Sequence, residues 1–475
     1  MARPRAAWAA VRLAELLCTI IPAQMDISIF KAYDIRGVYP TQLDERAAYQ
    51  IGAGLAASNL LTAGTTLVVG RDMRESSDVL FDSFAAGASA NGLHVMDVGR
   101  CTTPMLYFAV NELQAAGGAM ITASHNPGQY NGFKLVRESA IPIGSDSGLD
   151  RILEHALKVQ PPTKSHQMPA VHSCDLMQSY ARFFSQRFSI EMKKPVVIDT
   201  GNGIAGPIVR RVLQDQTITC HELFFEPDGR FPNHEANPLK EETLASLKAA
   251  IAKIPDAIGV AFDGDGDRVC FIDENGTIIR GDLLTALLSQ HLLRENGPAP
   301  ILYDLRSSRI VPEVIRASGG QPVKTRVGHA FVKRIMREHD ALFGGELSYH
   351  FYFRDFFYCE SGILAMLHIC RLLAETGARL SDLVAPLRRY FHSGEVNFEV
   401  RNTGLVLSAL EDRFADGAIE KLDGLSVEYE DWWFNVRPSN TEPLLRLTLE
   451  AGTPDLMIKK LDLVSNTIKE AEEDL

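Results

Sequence analysis

The run Asp263-Gly264-Asp265-Gly266-Asp267-Arg268 constrains this chain more than any other segment. Three carboxylates so close together repel one another and lose hydration on burial, unless a cation lies among them. The apolar runs 258–262 and 269–272 on either side have the length and the bounding turns of buried strands. The sequence therefore predicts a tight loop between two strands, whose hard oxygen ligands suit Mg²⁺.

Two other interpretations of this run are weaker. Asp263, Asp265, Asp267 and Glu274 fit positions 1, 3, 5 and 12 of a calcium-binding EF-hand loop. That loop needs glycine at its sixth position, where Arg268 stands, and it joins helices rather than strands. A solvated acidic turn without metal is the other alternative. A divalent cation site is the favoured prediction.

A second loop, Thr122-Ala123-Ser124-His125-Asn126-Pro127, follows the apolar run 118–121. Ser124 does not lie in a Gly-x-Ser-x-Gly turn, so a hydrolase-type nucleophile is poorly supported. A serine beside a cation site can instead carry a phosphoryl group, because the metal neutralises the charge of the ester. Lys134 follows closely in sequence. Taken alone, Ser124 would be a turn or helix-capping hydroxyl, and the other loops reverse that judgement.

Two further loops carry groups that bind sugars and anions. Residues 344–350 (Gly-Gly-Glu-Leu-Ser-Tyr-His) follow the strand-like run 341–343 and offer a carboxylate, a hydroxyl and an imidazole, which share one face if the segment is extended. Residues 437–443 (Arg-Pro-Ser-Asn-Thr-Glu-Pro) combine a guanidinium, hydroxyls, an amide and turn N–H groups into an anion cradle. Taken alone, the first would equally be a surface turn, and the second a hairpin turn with an incidental arginine.

Together these four loops resemble those of the alpha-D-phosphohexomutases, most closely the bacterial phosphomannomutase branch, whose members often also act on glucose phosphates. The resemblance extends from Phe30 to near the C-terminus and includes the segments 30–37, 69–72, 227–234, 327–330 and 350–356. The resemblance implies an α/β fold of three similar domains with mixed sheets flanked by helices, plus a smaller C-terminal α+β domain, around a central cleft.

The resemblance also implies a role for each matching residue. Ser124 would be the phosphoserine that gives up and regains a phosphoryl group, and it would hold one Mg²⁺ ion together with Asp263, Asp265 and Asp267. The sugar hydroxyls would be bound by Glu346, Ser348 and His350, and the non-reacting phosphate by Arg437, Ser439, Asn440 and Thr441. The positions near the reacting centre are Arg36, Lys134, His329 and Arg268, with Tyr33 and Arg306 as further substrate contacts. Which residue is the general base stays open.

The implied reaction interconverts mannose 6-phosphate and mannose 1-phosphate through a phosphoserine enzyme and a hexose 1,6-bisphosphate, which also acts as activator. Its product would feed nucleotide-sugar and polysaccharide synthesis, and glucose phosphates would also be substrates. The alternatives are a protein that is mainly a phosphoglucomutase, a non-catalytic sugar-phosphate sensor, and a metal-dependent phosphatase. Tyr349 stands where the family usually has a small residue, so it would either narrow the pocket or point to solvent.

Composition and charge agree with this class of protein. The 475 residues are 46% hydrophobic and 23% charged, as in ordinary globular proteins. Because 60 acidic and 48 basic residues leave a net charge of −12, attraction of a phosphate dianion depends on the basic residues inside the motifs. Hexose phosphates are the expected partners, without nucleic acid or membrane, and the oligomeric state, monomer or dimer, stays open. Seven scattered cysteines fit a reducing cytoplasm.

The length suggests about three domains, or four small ones. The predicted ranges are 25–172 with the serine loop, 173–280 with the acidic loop, 281–392 with the sugar loop and 393–475 with the phosphate loop. Residues 1–24 are basic and then apolar, like a secretory signal, but Arg12 and Glu15 interrupt the apolar part, so we expect a disordered extension or a mis-called start. Strands are predicted at 66–69 and 195–198, and helices at 78–91, at 283–294 and from about Ser173.

Overall fold

The computed structural model of the chain describes residues 25–62, 64–161, 171–439 and 444–473. The predictions for residues 1–24, Asn440 and Thr441 therefore lie outside the described residues. Within the described part, the chain forms four sheets that follow one another in sequence.

The strands divide among the four sheets as follows. The first sheet contains β1 (Ile35–Val38), β2 (Thr66–Arg71), β3 (His94–Arg100), β4 (Gly117–Ile121), β5 (Tyr130–Arg137) and β6 (His172–Ser173). The second contains β7 (Glu191–Asp199), β8 (Thr217–Leu223), β9 (Ile258–Phe262), β10 (Val269–Ile272) and β11 (Ile278–Ile279). The third contains β12 (Pro300–Asp304), β13 (Gln321–Thr325), β14 (Phe343–Gly345), β15 (Phe351–Phe353) and β16 (Cys359–Glu360). The fourth contains β17 (Phe391–Glu399), β18 (Ala418–Glu420), β19 (Leu425–Glu428), β20 (Trp432–Pro438) and β21 (Leu444–Ala451).

Helices connect and cover these strands. Around the first two sheets they are α1 (Glu45–Ala57), α2 (Ser77–Ala90), α3 (Thr103–Glu112), α4 (Leu149–Ala156), α5 (Met177–Ser185), α6 (Ala205–Leu213) and α7 (Ala245–Ile251). The remainder are α8 (Gly281–Asn296), α9 (Ile310–Ala317), α10 (His329–His339), α11 (Gly362–Thr376), α12 (Leu380–Val384), α13 (Thr403–Arg413) and α14 (Pro454–Glu473). None of the described helices combines the length and the apolar content needed to cross a membrane.

The first three sheets share one topology. Their cores have the orders β5-β4-β2-β3, β10-β9-β7-β8 and β15-β14-β12-β13. In each core the first pair is antiparallel and the other two pairs are parallel. The loop from the third parallel strand to its antiparallel partner therefore has the same position in each sheet, and these loops carry the serine, acidic and sugar motifs. This confirms the prediction of three similar α/β domains.

The fourth sheet differs, because all of its pairs are antiparallel. Helices α13 and α14 contribute Val406, Leu410, Val464 and Ile468 to its hydrophobic core. This unit is the smaller α+β domain that was expected at the C-terminus.

A common core holds the first three loops in place. Strands β4 and β9 are buried along their whole length, as strands are when a parallel sheet is covered on both faces. One continuous cluster of buried apolar side chains includes Met120 of β4, Val260 of β9 and Phe343 of β14. The strands that carry the three loops are therefore packed into a single interior.

Two local predictions differ from the structure. The helix expected from Ser173 begins at Met177, because Ser173 still pairs with Asp97 in the first sheet. The strand expected at 341–343 begins at Phe343, because the Ala341 N–H closes the end of α10 on Met336 O. The predicted limits at 172/173 and 392/393 fall inside β6 and β17. The division into domains at those limits stays a prediction.

Candidate active site

The serine loop and the acidic loop meet directly. Ser124 is 3% exposed, and its Oγ donates a hydrogen bond to Asp263 Oδ2 at 2.8 Å. Ser124 also has a φ of 51°, a left-handed conformation that is uncommon for a non-glycine residue. Asp263, Asp265 and Asp267 are almost fully buried, and each places a carboxylate oxygen within 4.8 Å of the others. The structure therefore brings together the two loops that the sequence singled out first.

The glycines of the acidic run make this approach possible. A Cβ on Gly264 would lie 2.4 Å from the backbone oxygen of Ser124, which is closer than such atoms come. Gly266 has a φ of 72°, which favours glycine. The alternation of aspartate and glycine thus serves both the charge cluster and the close contact between loops.

Two predicted cations flank these loops. The Lys134 Nζ lies 2.7 Å from Asp265 Oδ2 and 2.6 Å from Asp267 Oδ2. Burial opposes the charge, but the two carboxylates outweigh it and raise the pKa of Lys134, so it stays an ammonium. Arg36 donates to Asn126 Oδ1 at 2.6 Å, which places its guanidinium on the serine loop.

Sequence reasoning missed the residue that holds the serine loop in shape. The Arg74 guanidinium is fully buried and donates to the backbone oxygens of Ser124 (2.8 Å), Asn126 (2.6 Å), Pro127 (2.7 Å) and Tyr130 (2.9 Å). Asp72 pairs with Arg74 Nε at 3.1 Å. The sequence signal for Arg74 was its position just after β2, in the polar segment that follows this buried strand. Thr103 was missed as well, and its Oγ1 donates to Asp265 Oδ2 at 2.5 Å.

The sugar loop is a turn and not an extended segment. The turn, rather than the alternation of side chains along a strand, therefore brings Glu346, Ser348 and His350 together. Tyr349 has a φ of 68°, and its N–H donates to Glu346 O at 3.1 Å. This turn brings His350 Nδ1 within 3.2 Å of both Glu346 Oε2 and Ser348 Oγ. Tyr352, which was not predicted, donates to Glu346 Oε2 at 2.5 Å.

His350 also joins the sugar loop to the acidic loop. Its Nε2 lies 3.3 Å from Asp267 Oδ1 and 3.2 Å from Arg268 Nε. Burial and Arg268 oppose a positive charge on the ring, but Asp267 and Glu346 outweigh them and raise the pKa of His350 to about 9. Arg268 in turn donates its backbone N–H to Asp263 Oδ1 at 3.1 Å.

The Tyr349 side chain does not point to solvent, so that alternative is wrong. The residue is 7% exposed and belongs to the main apolar cluster, where its phenol contacts Cys270. Burial raises the pKa of this phenol well above its usual value. The bulk of Tyr349 is therefore accommodated in the core beneath the loop.

Tyr33, just before β1, lies close to His329, the first residue of α10. Tyr33 precedes β1, and its hydroxyl donates to Val327 O at 3.3 Å, with its ring centroid 5.7 Å from that of His329. Burial, followed by the nearby Lys333 ammonium, lowers the pKa of His329 well below its usual value. His329 therefore carries a neutral imidazole at neutral pH.

Arg306, a predicted substrate contact, lies in one group with the predicted phosphate-binding residues Arg437 and Ser439. Arg306 donates to Asp304 Oδ2 at 2.7 Å and to Glu395 Oε2 at 3.1 Å. Arg437 is 2% exposed and donates to the same Glu395 oxygen at 3.0 Å. Ser439 donates its N–H to Leu444 O at 2.8 Å, at the end of β20. Asp304 and Glu395 were not predicted.

These contacts join all four loops into one chain of interactions. Asp304 Oδ2 accepts the N–H of Leu347 at 2.9 Å, which connects Arg306 to the sugar loop. From Ser124 the contacts therefore run through the acidic loop, His350 and Asp304 to Arg437. The structure brings together the described members of the predicted site, and their roles stay predictions.

The acidic loop fits a divalent cation. Asp265 Oδ1 is buried and accepts no hydrogen bond from the described residues, although a carboxylate oxygen seldom forgoes one. Burial, and then repulsion from Asp267 and Asp265, raises the pKa of Asp263 well above its usual value, so the cluster lacks positive charge. Hard carboxylate oxygens are the ligands that Mg²⁺ prefers.

A second group with ligand atoms within 4.8 Å of one another consists of His291, Glu295 and His368. Two arginines occupy its surroundings, because Arg371 pairs with Glu295 and Arg294 Nη2 lies 3.2 Å from His291 Nδ1. Burial lowers the pKa of His291 to about 4. These contacts favour a structural role for the group.

The fold and the site define a phosphohexomutase. Models of the phosphoglucomutase/phosphomannomutase family match the chain in order: alpha/beta/alpha domain I at 28–161, domain II at 178–276, domain III at 280–390 and the C-terminal domain at 395–461. The chain belongs to the phosphoglucomutase/phosphomannomutase family, a family of isomerases that act in carbohydrate metabolism.

Individual relatives cover nearly the whole chain. A phosphomannomutase of Methanocaldococcus jannaschii is 38% identical over 453 residues, which are 95% of this chain and 99% of that protein. The phosphohexose mutases of Xanthomonas campestris pv. campestris are 38% identical over 94% of this chain and 100% of theirs. A crystal structure of a phosphoglucomutase/phosphomannomutase family protein from Burkholderia thailandensis has a TM-score of 0.84 and 32% identity, over 94% of this chain and 98% of that one.

Proposed function

We propose that the chain is a phosphomannomutase that works through phosphorylated Ser124. The observation that carries this is the 2.8 Å contact between Ser124 Oγ and Asp263 in a buried cluster of three carboxylates. A hydroxyl that only caps a turn does not need to lie beside a cation site. A hydroxyl that carries a phosphoryl group does, because the cation neutralises the charge of the phosphate. The names of the relatives supply the substrate class.

The reaction has two transfers. In the first, the P–Oγ bond of phosphorylated Ser124 breaks and a P–O bond forms to the free hydroxyl of mannose 1-phosphate or mannose 6-phosphate, whose proton passes to a base. The resulting 1,6-bisphosphate turns round in the cleft. In the second transfer its other phosphoryl group moves to Ser124 Oγ, and the sugar oxygen that it leaves takes a proton. The same bisphosphate phosphorylates Ser124 in resting enzyme, which makes it the activator.

The residues divide this work by their charge. Lys134 remains an ammonium and stabilises the negative charge of the transferring group, while the neutral His329 is our candidate for the base. Bound Mg²⁺ supplies further charge neutralisation at the phosphoryl oxygens. It would be held by Asp263, Asp265, Asp267 and an oxygen of phosphorylated Ser124.

The remaining site residues bind substrate in this proposal. Glu346, Ser348 and His350 contact the sugar hydroxyls, whereas Arg437 and Ser439 bind the phosphate that does not react. Because Tyr349 packs into the core, its bulk gives no reason to exclude the glucose epimer. Both mannose and glucose phosphates should therefore react. The product feeds nucleotide-sugar synthesis, and the six described cysteines, all free, support a cytoplasmic setting.

The test is a comparison of initial rates on mannose 1-phosphate, glucose 1-phosphate and glucosamine 1-phosphate, with Mg²⁺ and a bisphosphate primer. Ser124→Ala should lower the rate by about 10³-fold or more, as the loss of a nucleophile does. Ser139→Ala is the matched control, because Ser139 is an exposed serine with a similar φ of 58°.

Four results would each overturn a part of the proposal. Full activity in Ser124→Ala would refute the phosphoserine mechanism. A clear preference for glucosamine 1-phosphate would refute the substrate class, and a strong preference for glucose 1-phosphate would make the chain mainly a phosphoglucomutase. If wild-type protein binds hexose phosphates without turnover, and mass spectrometry finds no phosphate on Ser124, the chain is a sensor.

A further inference from the structure

One carboxylate, that of Glu395, is shared by three guanidinium groups. Its Oε2 accepts from Arg306 Nη1 at 3.1 Å and from Arg437 Nη2 at 3.0 Å, and its Oε1 accepts from Arg446 Nη1 at 3.0 Å. Arg306 and Arg437 are almost fully buried, and Glu395 is about three-quarters buried. Ion pairs shielded from water in this way are stronger than those at the surface.

The local backbone aims Glu395 at this position. Strand β17 pairs with β21, and the register shifts between His392 and Glu395, which marks a bulge. Gly394, with a φ of 70°, lies inside that bulge. Bulges redirect the side chains next to them. Glu395 is thereby placed where it reaches both Arg306, which follows β12 of the third sheet, and the arginines of the fourth sheet.

The two arginines of the fourth sheet need this carboxylate. Arg437 of β20 and Arg446 of β21 are directly opposite each other in the ladder. Like charges in that arrangement repel and destabilise a sheet unless a counter-ion lies between them. Glu395 contacts both guanidinium groups, so it is that counter-ion. Burial opposes its charge, but Arg306, Arg437 and Arg446 outweigh burial and lower the pKa of Glu395 to about 2, which keeps it ionised.

The arrangement leaves part of Arg437 for another anion. Its Nε is buried and donates no hydrogen bond to any residue in the described ranges. A sugar phosphate dianion has the charge and the acceptor atoms to complete this site.

We propose that Glu395 is a positioning residue for the non-reacting phosphate: it holds Arg437 of the fourth domain in line with Arg306 of the third, so that the two domains present one preformed anion site. This inference rests on the proposed function, in which Arg437 binds that phosphate. Glu395 acts through Arg437 and does not touch the reacting atoms. Without it, repulsion between Arg437 and Arg446 turns the Arg437 guanidinium away from the phosphate.

The test is Glu395→Gln in the full-length chain, with Glu399→Gln as control, because Glu399 is an exposed residue on the same strand and its substitution changes the charge equally. The KM for mannose 1-phosphate should rise roughly tenfold to a hundredfold in Glu395→Gln, the order of effect of a lost charge-assisted hydrogen bond. The kcat should stay within about threefold, since only uniform binding is lost. Glu399→Gln should match wild type, and Glu395→Asp should recover part of the KM.

A second measurement separates positioning from a merely structural role. Enzyme phosphorylated on Ser124 is mixed with unphosphorylated mannose, which has no remote phosphate for Arg437 to bind. Glu395→Gln and wild type should transfer the phosphoryl group at equal rates. An unchanged KM for mannose 1-phosphate in Glu395→Gln would overturn the inference. An equal loss of rate with mannose 1-phosphate and with mannose would overturn it as well.

The outcome also distinguishes this inference from the proposed function. If wild-type Ser124 carries no phosphate and there is no turnover, the mechanism fails, but calorimetric binding of mannose 6-phosphate still tests Glu395. Binding weakened in Glu395→Gln supports the inference, and equal binding refutes it. If wild type turns over and Glu395→Gln has an unchanged KM, only the inference fails.

Discussion

Replacing Arg74 by methionine should destabilise the loop that carries Ser124 by at least about 3–5 kcal/mol, the cost of leaving one partner of a buried ion pair behind. The pair is that of Arg74 with Asp72, and both side chains are completely buried. Methionine keeps a similar volume, so the change removes the charge and the donors without opening a large cavity.

The hydrogen bonds of the guanidinium raise this figure. Four backbone oxygens between 124 and 130 lose a donor, and each buried unsatisfied group costs about 1–3 kcal/mol. Some of these oxygens would be hydrated as the loop opens. The ion-pair cost and the costs of the four oxygens added together are therefore an upper limit for the destabilisation. Because Ser124 has a φ of 51° inside this loop, its phosphorylation by the bisphosphate should slow as well.

Hydrogen exchange read by mass spectrometry on residues 117–137 measures this local opening directly, without assuming that the whole chain unfolds in one step. Arg100→Met is the matched control, since Arg100 pairs with Asp78 and both are about half exposed; its cost should stay below about 1 kcal/mol. The double variant with Asp72→Asn should be less destabilised than the sum of the two single variants. Equal protection in Arg74→Met and Arg100→Met would refute the reasoning.

Two further predictions concern the metal and a buried imidazole. Mg²⁺ at a hundred times its dissociation constant should raise the unfolding free energy by about 2.7 kcal/mol. In Asp265→Asn, thermal melting should show that most of this stabilisation is lost. If Mg²⁺ stabilises Asp265→Asn as much as wild type, the acidic loop is not the metal site. Burial, then Arg371 and Arg294, lower the pKa of His291 from 6.5 to about 4, so the unfolded chain binds more protons between these values. The unfolding free energy should therefore fall as the pH falls through that window. His291→Gln should reduce the slope of the unfolding free energy against pH, measured by urea denaturation, by at most about 1.4 kcal/mol per pH unit. Equal slopes in wild type and His291→Gln would contradict this prediction.

The chemistry of the site was predictable from sequence because each loop is local. Strands β9 and β10 have the bounds that their apolar runs predicted, and the acidic run between them forms the predicted tight loop. Its charges could not be buried without a cation. The same holds for Ser124, whose loop follows a strand that is apolar throughout.

What the tertiary structure decided are the contacts between residues distant in sequence. Arg74 binds oxygens about fifty positions away, and Glu395 joins Arg306 to Arg437 across two sheets. Tyr349 is buried because a pocket near Cys270, in the neighbouring sheet, receives it. No periodicity or motif encodes such pairs, since they depend on how independently formed sheets pack. The sequence by itself determined which groups the loops carry, and packing determined which buried charges hold those loops in register.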